Sequence, residues 1–165
     1  QCPDIHLVAE DLGIITEEVD ALRLKYNIPG MKILQFAFGG DETNPYLPEN
    51  IEENSVVYTG THDNDTTLGW YQQASQEIKD HLHHYLQNEQ PDMPSSLITL
   101  AFSTAAKLAI VPMQDILALD SDHRMNTPGT IENNWAWRFN WQQLTEAHQQ
   151  QFKQAVIDAG RACHG

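Results

Sequence analysis

Val56-Val57-Tyr58-Thr59 runs without a break into Gly60-Thr61-His62-Asp63-Asn64-Asp65. Four β-branched or aromatic residues suit a strand, and the polar run after them cannot extend it. The reading is a buried strand whose C-terminal end opens into a loop rich in hydrogen-bonding side chains. The same transition occurs elsewhere in the chain. Ile5-His6-Leu7-Val8-Ala9 reads as a mostly buried strand ended by Glu10-Asp11 and Gly13, and Met31 to Phe38 as a second strand ahead of Gly39-Gly40. Leu108-Ala109-Ile110-Val111 reads as a fourth, ended by Pro112 and Gln114-Asp115.

Helical or looped crossovers separate these strands. Thr16 is placed to cap a helix with Glu17 and Glu18 in its first turn and Val19, Leu22 and Leu24 on its inner face; Asn27, Pro29 and Gly30 stop it. Gly39 to Asn54 holds Pro45 and Pro48 and reads as a loop with at most a short helix. Helical patterning covers Gly69 to Gln87, returns from Ser95 to about Lys107 beyond Pro91 and Pro94, and ends the chain from about Gln143 to Ala159. Strands alternating with helices predict an α/β fold whose strands pair in parallel through right-handed crossovers. Chemistry-capable residues follow at least three of the strands, the edge at which both β/α barrels and open parallel sheets carry their sites.

Composition narrows the partners. The 165 residues include 23 acidic side chains against 9 Lys and Arg, a net charge of -14 that repels phosphate backbones and anionic lipid, so nucleic acid and membranes are poor partners. A neutral, hydroxyl-rich ligand is indifferent to that field. No apolar run approaches the roughly 18 residues of a spanning helix, and Gln1-Cys2-Pro3-Asp4 lacks a secretion signal, so a cytoplasmic protein is expected. Cys2 and Cys163 form no CxxC pair and are read as incidental. Gln1 in place of an initiator Met, with a strand almost at once, reads as an excised piece of a longer chain.

Glu10 directly follows a buried strand, where partial desolvation would favour the protonated acid that a leaving group needs. Asp63 stands between His62 and Asn64 after another strand, so several polar groups can converge on one ligand. Two carboxylates on separate strand ends are what glycosidic-bond chemistry uses, while an Asx-turn network that only orders the loop is the competing reading of 62–64. Asp65 is read as a hydrogen-bonding partner. Asp63, Asp65 and Thr67 alternate as in a calcium loop, but Leu68 stands at the glycine position and Ala74 at the final glutamate. His81, His83 and His84 lack an HExxH or cysteine pair and read as a solvated helix surface; no metal or cofactor is expected. No GxSxG, GxxxxGKS/T or GxGxxG string occurs. Trp70, Tyr71, Trp135 and Trp137 could stack on sugar faces or serve as core and rim.

Four strings are more specific than these patterns. Ala9-Glu10-Asp11-Leu12-Gly13, Pro29 to Phe38 (Pro-Gly-Met-Lys-Ile-Leu-Gln-Phe-Ala-Phe), Tyr58 to Thr66 (Tyr-Thr-Gly-Thr-His-Asp-Asn-Asp-Thr), and Arg124-Met125-Asn126-Thr127-Pro128-Gly129-Thr130 with Asn134-Trp135 and Trp137-Arg138 occur in this order. Together they resemble the 4-alpha-glucanotransferase family of amylomaltases and disproportionating enzymes, from residue 5 to beyond residue 138.

The resemblance implies a (β/α)8 barrel in which residues 1–165 form the C-terminal half of the catalytic domain, strands five to eight, with strands one to four absent. It implies Glu10 as general acid/base, Asp63 as the transition-state-stabilising aspartate, and His62 as a hydrogen-bond partner of sugar hydroxyls. Asn126 and Asp11 are implied as substrate-contacting or site-ordering residues. The implied reaction retains anomeric configuration and passes a glucan from a maltooligosaccharide or starch-like donor to glucose or another glucan, without a cofactor. The family's nucleophilic aspartate lies in an Arg-x-Asp-His context, and no such string occurs here. The missing half of the same enzyme is therefore an implied partner, and the isolated chain is expected to be inactive. Hydrolysis of the same linkage, and a noncatalytic carbohydrate-binding or structural fragment, are the alternatives.

Overall fold

The computed structural model describes residues 5–162. Three parallel strands, β1 (Gly30–Ile33), β2 (Ser55–Tyr58) and β3 (Leu108–Ile110), form one sheet in the order β1-β2-β3. Ile33 pairs with Tyr58 and Tyr58 with Ile110, so the C-terminal ends of the strands finish level. Helix α1 (Glu17–Lys25) precedes β1; α2 (Thr67–Gln73), α3 (Gln76–Leu86) and α4 (Ser95–Ser103) connect β2 to β3; α5 (Met113–Ile116) and α6 (Glu146–Asp158) follow. The 39–54 connection is the expected loop with one 3-10 turn, Pro48–Asn50. Among the described residues, no helix is long and apolar enough to cross a membrane.

Successive strand residues face opposite sides of the sheet. Val57 and its register partner Ala109 join the core built with Leu34, Phe38, Leu82, Leu97 and Ala101 beneath the helices. The next residue of each strand, Tyr58 and Ile110, faces a cavity on the other side. Arg161 closes the far end of the helical layer: its guanidinium donates to the carbonyls of Phe102, Thr104 and Ala106 at and beyond the end of α4. A cation there offsets the negative end of the helix dipole.

Several expectations are corrected. Ile5–Ala9 is not a strand; one backbone bond, Ala9 N–H to the Pro29 carbonyl at 2.9 Å, ties it to the sheet, and Ile5, Leu7 and Val8 are exposed. The ladder goes no further here: Pro29 has no N–H, and the Met31 N–H is donated to the Asp11 carboxylate at 2.6 Å. Strand β1 stops at Ile33, and Leu34–Phe36 forms a 3-10 turn. Leu34, Ala37 and Phe38 all enter the core, a spacing of three and four that suits a helical turn rather than an alternating strand.

In α1 the expected inner face is exposed: Val19, Leu22 and Leu24 face solvent, and Arg23 is the buried residue, bonded to Asp20 and to the Ile28 carbonyl. Among the described residues, a charged network therefore seats this helix, while its apolar side has no cover. The single helix expected over 69–87 breaks at Ala74-Ser75, where Ser75 caps α3 by accepting from the Ile78 N–H. The helix from Ser95 ends at Ser103 rather than near Lys107. The last helix begins at Glu146, where Thr145 and His148 form a reciprocal capping box. Cys2 and Cys163 lie outside the described residues.

Candidate active site

The 60–66 loop is bracketed by a single buried carboxylate. Asp115, in α5, accepts from the Thr59 hydroxyl (2.6 Å) where β2 ends and from the Thr67 N–H (2.8 Å) and hydroxyl (2.7 Å) where α2 begins. Burial pushes the Asp115 carboxyl above the usual carboxylate range, and the Thr59 and Thr67 hydrogen bonds oppose that shift. Inside the bracket, the Asn64 carboxamide oxygen accepts from the Thr61 N–H and hydroxyl, both at 2.8 Å. The loop-ordering network expected as a rival reading thus exists, and Asn64 forms it. The Asp63 side chain is left for other contacts.

Those contacts come from the loop after α5. Asn126 Nδ2 donates to Asp63 Oδ1 at 2.6 Å, and His62 Nε2 lies 3.3 Å from the same oxygen. Trp135, held with positive φ by its N–H bond to the Met125 carbonyl, packs its ring 4.9 Å from the His62 ring. His62, Asp63, Asn126 and Trp135 therefore form one cluster beside the C-terminal ends of the strands.

Glu10 and Asp63 line the same cavity, about 750 Å³ in volume, with Met31, Ile33, Tyr58 and Ile110 of the sheet on its wall. A cleft of this size, mostly apolar with a few polar groups, suits a ligand of several rings. Burial raises the Tyr58 phenol above its ordinary range, and the nearby Glu10 charge adds to that shift. Glu10 is itself exposed, so the desolvation expected to favour a proton donor is not supplied by the described residues.

Asp11 takes a different position. Its carboxylate accepts from the Met31 N–H and lies 3.4 Å from Arg23 Nε, and it does not line the cavity. A Cβ on Gly30 would overlap that carboxylate, so glycine is required where Asp11 meets β1. Of the other aromatics, Trp70 packs on Phe38 in the core and Trp137 stacks on Phe139 at 5.8 Å, leaving Trp135 as the one beside His62.

The histidine cluster is also corrected. His81 bonds the Phe38 carbonyl and His83 the Tyr71 hydroxyl, both partly buried; His84 is the solvated one. Among the described residues, no group of three or more His, Cys, Asp or Glu side chains is arranged to hold a metal. Sequence reasoning assigned no role to Asp115, Ser121 or the Arg124 guanidinium. Their only sequence signal was position after the last strand and, for Arg124, membership in the Arg-Met-Asn string.

Comparison with known proteins adds to this geometry. The profile of the family described as 4-alpha-glucanotransferase matches residues 1–145. The 4-alpha-glucanotransferase of Synechocystis is 54% identical over 147 residues, covering 87% of this chain and 29% of that protein. The chloroplastic/amyloplastic 4-alpha-glucanotransferase of Solanum tuberosum is 54% identical over 135 residues, covering 81% of this chain and 23% of that protein. The chain thus spans less than a third of the length of these relatives. The structure of amylomaltase from Streptococcus agalactiae in complex with acarbose superposes with a TM-score of 0.88 at 34% identity, covering 94% of this chain and 32% of that one.

Proposed function

Because the chain belongs to the 4-alpha-glucanotransferase family, we propose that the protein containing it transfers alpha-1,4-glucan segments by a retaining double displacement. Glu10 donates a proton to the glycosidic oxygen as the bond to C1 breaks, and an aspartate from outside these 165 residues bonds to C1. The leaving glucan departs as an alcohol. Glu10, now a carboxylate, accepts the proton of an acceptor 4-hydroxyl as that oxygen attacks C1 and expels the aspartate. Asp63 faces the positive charge that develops on the sugar ring in both steps. His62 and Trp135 hold the donor sugar, Asn126 aims Asp63, and Asp11 orders the segment that carries Glu10. Maltooligosaccharides or starch-like glucans are the donors, and glucose or another glucan is the acceptor.

One observation carries this reading: Glu10 and Asp63, 53 positions apart in sequence, line one cavity at the C-terminal edge of parallel strands. The acarbose complex of the Streptococcus agalactiae amylomaltase supports a glucan-like ligand by analogy. We propose further that β1 to β3 are the sixth to eighth strands of a (β/α)8 barrel. In that barrel Ile5–Ala9 becomes the fifth strand, beside β1 on one edge and paired on the other with a fourth strand supplied from outside this chain, which also buries Glu10. The same proposal places the enzyme in the cytoplasm. The potato relative's name assigns that protein to plastids, so fractionation of the source cells is the check.

The test is disproportionation of maltotriose by the full-length protein. Glu10→Gln should lower kcat by about 10²- to 10⁴-fold, and Asp63→Asn by about 10²- to 10³-fold. Wild-type protein should yield chains longer than maltotriose. Near-normal transfer by both variants, or release of glucose with no longer product, contradicts the proposal.

A further inference from the structure

We propose that Arg124 is a positioning residue for Asp63, setting the aim of the transition-state carboxylate through two main-chain contacts; the inference rests on the role given to Asp63 above. An aspartate on an exposed loop has rotamer freedom, and a carboxylate that must meet a transient charge cannot keep it. Asp63 is about half exposed, with a side-chain accessibility of 47%. Its Oδ1 accepts from Asn126 Nδ2, but that contact aims the carboxylate only if the two loops carrying Asp63 and Asn126 keep a fixed separation.

Arg124 supplies that separation. Its Nη2 donates to the Asp63 carbonyl at 3.1 Å, and its Nε donates to the Asn126 carbonyl at 3.3 Å. One planar guanidinium therefore holds the main chain at both ends of the Asn126–Asp63 hydrogen bond. The third corner of the fork, Nη1, lies 3.8 Å from Asp65 Oδ2.

Asp65 is itself seated. Its carboxylate accepts from the Ser121 hydroxyl (2.7 Å), Gln73 Nε2 (3.1 Å) and the Thr66 N–H (2.8 Å), and Gln35 donates to its carbonyl at 2.9 Å. Gly69 leaves the space for this arrangement, since a Cβ there would overlap Ser121 Oγ. The order of support runs from α2 to Asp65, from Asp65 to Arg124, and from Arg124 to the Asp63–Asn126 pair. Arg124 is absent from the cavity that Glu10 lines but borders a smaller one with His62 and Trp135, so the split between kcat and KM decides whether it acts through Asp63 or on the sugar. Lysine cannot replace it, because a single ammonium does not present donors in a fixed plane to three separated acceptors.

The experiment is a double-mutant cycle on the full-length protein with maltotriose as donor and acceptor, after circular dichroism shows each variant folded. Arg124→Lys should lower kcat about 10- to 100-fold, the penalty expected for misplacing a reacting group by about 1 Å, and leave KM nearly unchanged. In an Asp63→Asn background the same change should lower kcat by less than about twofold, because a residue acting only through Asp63 has nothing left to aim. If Arg124→Lys does not fold, Ser121→Ala, which loosens only the seat of Asp65, should show the same pattern at smaller size.

Losses that multiply in the double mutant, or a rise in KM with kcat intact, overturn the positioning role. If Asp63→Asn alone has no effect, the assigned role of Asp63 fails and this inference fails with it; a folded enzyme that loses activity on Asp63→Asn but shows multiplying losses refutes the inference alone.

Discussion

The two faces of the sheet differ although they share the same three strands. On the helical side, Val57 and Ala109 meet α2, α3 and α4, and Leu34, Leu82, Leu97 and Ala101 are fully buried. On the opposite side Ile33 and Val56 are buried, but Leu108 is 51% and Ile110 40% exposed, and Tyr58 and Met31 line an open cavity. Apolar side chains thus end in a finished core on one side and partly in solvent on the other. Parallel sheets are covered on both faces in complete domains, and among the described residues this face is only partly covered. Glu10 and Asp63 lie on that unfinished side.

The contrast can be broken by mutation. Leu97→Ala, in the closed core, should destabilise the protein by about 2–5 kcal/mol, read as a loss in urea denaturation midpoint at unchanged slope. A cost below that range would mean the helical layer is looser than its burial indicates. Gly69→Ala presses a methyl against the Ser121 backbone and hydroxyl, and should cost about 1–3 kcal/mol by overpacking, with transfer activity falling further than stability because Asp65 is displaced. Equal retention of both would deny the close approach at α2.

Leu108→Ser sharpens the same contrast when measured twice. In the 165-residue chain the change should fall within about 0.5 kcal/mol, as for other exposed sites. In the longer protein it should cost about 1 kcal/mol or more, from burying the half of the side chain now in solvent. Equal values in the two contexts would mean that nothing covers this face.

Asp115 gives the smallest effect and a sign. Its folded carboxyl titrates above the unfolded one, so the folded state holds the proton more tightly, and the stability contributed is full at acid pH. It is lost as pH rises through the raised value. The stability of wild type relative to Asp115→Asn should therefore be greatest at low pH and decline to a plateau toward neutrality. A difference that grows with pH would show a depressed carboxyl.

What sequence reading reached depended on whether the cause was local. The Val56–Thr59 transition, the turn signals at Pro29-Gly30 and the proline-rich 39–54 loop are local, and the structure follows them. Ile5–Ala9 has strand composition, but the Met31 N–H on the neighbouring edge is donated to the Asp11 side chain, 20 residues away in sequence. Val19, Leu22 and Leu24 carry an amphipathic pattern whose cover lies outside the described residues. The spacing of Leu34, Ala37 and Phe38 is that of a helical turn, although the composition of 31–38 suits a strand.

At the site, the four strings single out Glu10, Asp63, His62 and Asn126. The structure puts Glu10, His62 and Asp63 on one cavity wall and Asn126 against Asp63. Asp115 and Ser121 act across 48 to 56 positions, through hydrogen bonds that leave no periodic trace. Arg124 reaches Asp63 across 61.

The most direct measurement of the central claim compares two donors with the full-length Glu10→Gln enzyme: maltotriose, whose departing sugar needs a proton, and maltotriosyl fluoride, whose fluoride leaves without one. An acid at Glu10 predicts that first-turnover cleavage of maltotriose collapses while the first-turnover burst of fluoride proceeds at nearly the wild-type rate, later turnovers slowing because the same residue is the base of the second step. Equal loss on both donors, or no loss on either, would contradict it.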